Sequence, residues 1–104
     1  MSDENEFNAR HFLLMQETLL KFKKSDVLTL GTLVRRLDEI NSILKNPGEQ
    51  WDKQFIALWL PLELAYADTL EEARENLSAS EEEIIQTSIE KLSVMVGEKT
   101  VDFR

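Results

Sequence analysis

The chain has 104 residues, 42% hydrophobic and 31% charged, with three glycines, two prolines and no cysteine: enough for one domain around one core, with no disulfide or thiolate chemistry and too few turn formers for an all-β fold. Its net charge of −8 argues against direct binding to nucleic acid or an anionic membrane, both of which depend on Lys and Arg neutralising phosphate. The acidic opening "MSDENEF" does not resemble a secretion signal, and the longest apolar run, "FIALWLPL", has eight residues against the roughly 18 needed to cross a bilayer, so a cytoplasmic protein is expected.

Periodicity predicts four helices. The first spans about Glu4 to Lys24, with Phe12, Met15, Leu19 and Phe22 on one stripe, Leu13 and Leu20 beside it, and the polar "KFKKSD" closing it. The second starts near Thr29, a good N-cap, and carries Leu30, Leu33, Val34, Leu37, Ile40 and Leu44 as a single buried stripe opposite Arg35, Arg36, Asp38, Glu39 and Ser42. "NPGEQ", residues 46 to 50, is the clearest breaker in the chain.

The third helix runs from about Trp51 to Asn76 on the stripe Trp51, Phe55, Leu58, Leu62, Tyr66, Thr69, Ala73 and Leu77. Ile56, Leu60 and Leu64 lie on its far side, so its middle is apolar all round, which implies enclosure by neighbouring helices or cover from a second chain. Pro61 removes one backbone hydrogen bond and is expected to kink this helix rather than break it, because the stripe continues in phase on both sides. The fourth helix is placed at Ser80, where "SEEE" has the form of a capping box closed by Glu83. Its stripe is Ile85, Ile89, Leu92 and Val96, with Gly97 as C-cap. The expected architecture is all-α: a four-helix, antiparallel bundle-like single domain with a Pro-kinked central third helix.

Signatures of catalysis are sparse. His11 is the only histidine, no glutamate has a histidine three residues on, and no glycine-rich phosphate loop is present, so no catalytic, metal or cofactor residue is assigned. Glu63 is the one acid that stands out: Leu60, Trp59, Tyr66 and Ala67 surround it on its own helix. It reads either as a structural carboxylate bonded to a neighbouring helix, with Arg35 or Arg36 as candidate partners, or as a functional acid. The aromatic set Trp51, Phe55, Trp59 and Tyr66 reads as core packing, with a ligand cage as the alternative. Charge is unevenly spread: residues 49 to 83 hold ten acids against Lys53 and Arg74, while the remainder balances. Asp68, Glu71, Glu72, Glu75, Glu81, Glu82 and Glu83 are therefore the candidate partner-binding residues, either as a solvated face or as a surface that meets a basic partner and speeds association.

Residues 28 to 67 also resemble a known family. "LTLGTLVRRLDEINSIL", a short polar loop and "WDKQFIALWLPLELAYA" are similar to a Leu-rich helix followed by "W...F...W..LE..YA" in small helical bacterial immunity proteins of contact-dependent growth inhibition and related polymorphic toxin systems. The matching positions are Leu30, Leu33, Leu37 and Leu44, then Trp51, Phe55, Trp59, Leu62, Glu63, Tyr66 and Ala67; Pro61 is not part of that pattern. The resemblance implies a non-catalytic inhibitor that binds the toxic C-terminal domain of a cognate toxin, and it favours the structural reading of Glu63. The acidity suits a nuclease toxin, whose phosphate-binding site must be basic. The alternative is an acidic helical adaptor or regulatory protein that dimerises through Ile56, Leu60 and Leu64.

Overall fold

Apolar residues three and four apart give four helices: α1 (Ser2–Lys21), α2 (Val27–Ile43), α3 (Glu49–Glu71) and α4 (Ala79–Asp102). The computed structural model describes residues 2–22 and 27–102, among which there is no strand. Lys24, the expected end of the first helix, lies outside them. Each helix packs on two others, in the order α1, α2, α3, α4 and back to α1, within an envelope of 47 × 20 × 19 Å. Cross-helix bonds fix the antiparallel sense of α1 to α2 and of α2 to α3. Asn8, early in α1, bonds to Lys45 just past α2. Trp51, at the start of α3, bonds to Asn41 near the end of α2, and Trp59 bonds to Val34.

The predicted stripes of α2 and α4 are buried in full, as are Phe12, Met15 and Leu19 of α1 and Trp51, Phe55 and Leu62 of α3. The aromatic set is core: the Trp51 ring stands edge-on to Phe12 at 4.8 Å and stacks on Phe55, which stacks on Trp59. Both indoles donate across the α2–α3 seam, Trp51 Nε1 to Asn41 Oδ1 at 2.8 Å and Trp59 Nε1 to the Val34 carbonyl at 3.0 Å, which satisfies the polar atom that burial would otherwise orphan. Buried Asn8 does the same for the backbone, donating to the Lys45 carbonyl at 2.7 Å and accepting from its N–H at 2.8 Å.

The α2–α3 approach is closest at Gly31. A Cβ there would lie 2.6 Å from Cζ and 2.8 Å from Oη of Tyr66, so the bare glycine leaves room for the phenol ring against the α2 backbone.

Several boundaries differ from expectation. α2 begins two residues earlier than Thr29, at Val27, whose N–H donates to the Glu75 carbonyl at 3.4 Å; this tertiary bond takes up a donor at the helix start, and Thr29 lies within the first turn rather than at the cap. Asn46 and Gly48 both take positive φ, 48° and 106°, in the predicted breaker. Gly97 does not end α4, which continues to Asp102; a Cβ at Gly97 would make only an ordinary 3.7 Å contact with Gln16.

α3 passes through Pro61 unbroken. The missing N–H leaves the carbonyl of Ala57 without its helical donor, and Ala57 is exposed, so water can serve it. The helix is not central: it packs on α2 and α4 and takes one corner of the ring, as the other three do. Neighbours within the chain therefore do not enclose its middle, and Ile56, Leu60 and Leu64 are 47%, 41% and 53% exposed.

Candidate partner-binding surface

The acidic residues gather where α3 ends and α4 begins. α3 stops at Glu71, five residues before the predicted Asn76, without glycine or proline. Ala73 takes the left-handed conformation, φ 55°, its N–H donates to the Leu70 carbonyl at 3.2 Å, and the Arg74 N–H reaches back to the Thr69 carbonyl at 2.9 Å. This is the paired-bond C-terminal motif usually built on glycine. It is hard to see in the sequence because alanine occupies the left-handed position.

Arg74 then clasps the turn. Its Nε donates to Glu72 Oε2 at 2.7 Å, while Nη1 and Nη2 donate to the two oxygens of Glu81 at 2.7 and 2.9 Å. Glu81 also closes a capping box, accepting from the Ser78 N–H at 2.8 Å while its own N–H donates to Ser78 Oγ at 3.2 Å. The cap of α4 is therefore Ser78 with Glu81, two residues before the expected Ser80 with Glu83. The motif S-x-x-E occurs at both registers, and only the Ser78 register places its glutamate within reach of Arg74. With these donors, chiefly Arg74 and then Ser78, the Glu81 carboxyl is held down at about 2, against an ordinary 4.5, and its side chain is only 16% exposed.

The seven candidate carboxylates therefore separate into two groups. Glu72 and Glu81 are committed to Arg74 and belong to the fold. Asp68, Glu71, Glu75, Glu82 and Glu83 are exposed, and their carboxylates make no hydrogen bond or ion pair among the described residues. Glu82 sits in the first turn of α4, where the helix dipole favours an acid. Asp68 and Glu71 sit in the last turn of α3, which carries no basic residue and where the dipole favours a cation. Glu75 lies outside α3, so it forms no i,i+4 helical pair with Glu71. Large apolar side chains missed in the charge count lie among these acids: Leu70 and Ile84 are both more than half exposed.

Glu63 is half-buried and bonded to neither arginine; Arg35 pairs instead with Glu39 on its own helix at 3.8 Å. Among the described residues no hydrogen bond or ion pair to its carboxylate is present. His11 is half-buried, its ring against Phe7 at 4.3 Å and its Nδ1 2.7 Å from the Phe7 carbonyl. No group of His, Asp and Glu side chains among the described residues could hold a metal ion, and no helix among them is long and apolar enough to cross a membrane. Compared with family models, curated proteins and solved structures, the chain matches none.

Proposed function

We propose that this protein is a non-catalytic, cytoplasmic immunity protein that binds and neutralises the toxic C-terminal domain, of nuclease type, of a cognate contact-dependent growth inhibition toxin, meeting it with the carboxylates at the α3–α4 end. The observation that carries this reading is the placement of Asp68 and Glu71. Both are exposed and unpaired among the described residues, at the helix end where an acid weakens the fold. A charge that costs stability where it stands is the kind a binding surface retains. A nuclease domain needs a basic site for phosphate, and an acidic surface would steer it into encounter. Leu70 and Ile84, among these acids, supply apolar area of the sort that governs how long a complex lasts. The family resemblance adds support for the scaffold, since it runs over residues that build the α2–α3 pair.

The test is to co-express the C-terminal domain of the upstream reading frame with and without this protein. The expected result is toxicity relieved by the protein and a stoichiometric complex on purification. No complex and no relief would overturn the reading. The alternative, an acidic adaptor acting as a homodimer, is favoured by the open row Ile56, Leu60 and Leu64. Toxin affinity separates the two readings, because dimerisation alone is compatible with both.

A further inference from the structure

The row on α3 has a symmetry of its own. Four-residue spacing makes Asp52, Ile56, Leu60, Leu64 and Asp68 one continuous ridge, apolar at its three central positions and acidic at both ends, with Leu60 at its midpoint. Ridges of this spacing pack into the grooves of a like helix at a crossing of about 50°. All three apolar members are 41% to 53% exposed, although α3 already uses two other sides against α2 and α4.

We infer that a second copy of this chain covers this ridge, with the two α3 helices crossing antiparallel about a two-fold axis at Leu60. Under that axis Leu60 meets the partner's Leu60, and Ile56 meets the partner's Leu64, the self-complementary pairing that a closed dimer requires. Charge selects the antiparallel sense. Lys53 comes opposite the partner's Ala67, within a turn of the partner's Asp68 and Glu71. A parallel pairing would set Lys53 against Lys53 and Glu71 against Glu71. Among the described residues Lys53 holds only Glu49, at 3.3 Å, with both side chains at least three-quarters exposed, a pairing weak enough to yield. At each end the same pairing brings Asp52 towards the partner's Asp68, a like-charge approach that the adjacent Lys53 offsets and that the divergence of the crossed helices weakens.

The antiparallel arrangement also resolves the repulsion expected between two chains of net charge −8. Glu71 lies eleven residues beyond Leu60, about 16 Å along the axis. The two acidic ends therefore stand roughly 30 Å apart, well past a Debye length of about 8 Å at physiological salt. One Lys53 of the partner meets five carboxylates at each end, so most of the acidic charge stays available and the dimer would present two separate docking ends. The inference does not rest on the toxin reading, since it concerns the protein alone.

Sedimentation equilibrium of the full chain over a wide concentration range tests it. The mass should rise with concentration from 12.1 kDa to twice that value, and Leu60→Glu should remain monomeric with an unchanged helical spectrum. Because the chain has no cysteine, oxidative cross-linking gives an independent readout that needs no charge in the interface. Leu60→Cys should link to itself, and Ile56→Cys should link far faster to Leu64→Cys than to itself. A wild-type mass of 12.1 kDa at every concentration would overturn the proposal, as would self-linking of Ile56→Cys as fast as the mixed pair.

Discussion

Gly31→Ala tests the α2–α3 register, on which the outward placement of Ile56, Leu60 and Leu64 depends. In an unobstructed helix interior this change adds about 1 kcal/mol of stability through helix propensity. Here the new Cβ would stand 2.6, 2.7 and 2.8 Å from three atoms of the Tyr66 ring, where carbon contacts need about 3.5 to 4.0 Å. The ring must retreat by about 1 Å, and overpacking of that kind costs about 1–3 kcal/mol. The net expectation is a loss of about 1 kcal/mol. With Tyr66→Ala the obstruction is gone, and the same glycine change should raise stability by about 0.5–1 kcal/mol. A double-mutant cycle in urea, with two-state behaviour checked by two probes, should give a coupling of about 1–3 kcal/mol between the sites. If Gly31→Ala stabilises both backgrounds equally, the ring does not rest on the α2 backbone and the register is wrong.

The α3–α4 turn yields three further expectations. Ser78→Ala should cost about 1 kcal/mol in chemical denaturation, whereas Ser80→Ala should stay within about 0.5 kcal/mol as an ordinary surface change; the reverse order would restore the cap to Ser80. Ala73→Gly should raise stability by about 1 kcal/mol, because the left-handed φ of 55° disfavours a Cβ, and a loss would mean that Ala73 packs in a way the turn geometry does not reveal. Since the Glu81 carboxyl is held at about 2 against 4.5, its contribution is complete above about pH 4.5 and is lost as pH falls towards 2. The melting-temperature gap between wild type and Glu81→Gln should therefore be constant above pH 5 and close between pH 4.5 and 2, and a gap that persists at pH 2 would show that the charge is not what matters.

The fold was legible because apolar spacing reports helix faces directly: the stripes of α2 and α4 were readable residue by residue, and "NPG" marked the central break. Helix ends were less legible, for local reasons. The end of α3 relies on alanine in a glycine's conformation, and "NLSASEEE" offers two overlapping capping boxes that only the reach of Arg74 distinguishes. Gly31 carried no signal, since its partner lies 35 residues away. At the candidate site, the charge count located the acidic end but could not separate the two glutamates held by Arg74 from the five carboxylates that have no partner among the described residues. An apolar-all-round helix likewise pointed to cover on every side, and only the packing order shows which side is open.

Reversing Asp68, Glu71 and Glu75 to Lys tests the central claim most directly, because folding and recognition pull these positions in opposite directions. At the end of α3, Lys at 68 and 71 complements the helix dipole at about 0.3–1 kcal/mol each at low salt, so the reversed variant, compared in the monomeric Leu60→Glu background, should melt at or above the temperature of its unreversed counterpart. Its association with the toxin domain of the upstream reading frame, followed by stopped-flow at low and high salt, should be slower and have a flatter salt dependence. A variant that is equally or more stable but associates more slowly is the predicted result. An unchanged association rate and salt slope in a well-folded variant would contradict the account and leave the carboxylates as a solvated face.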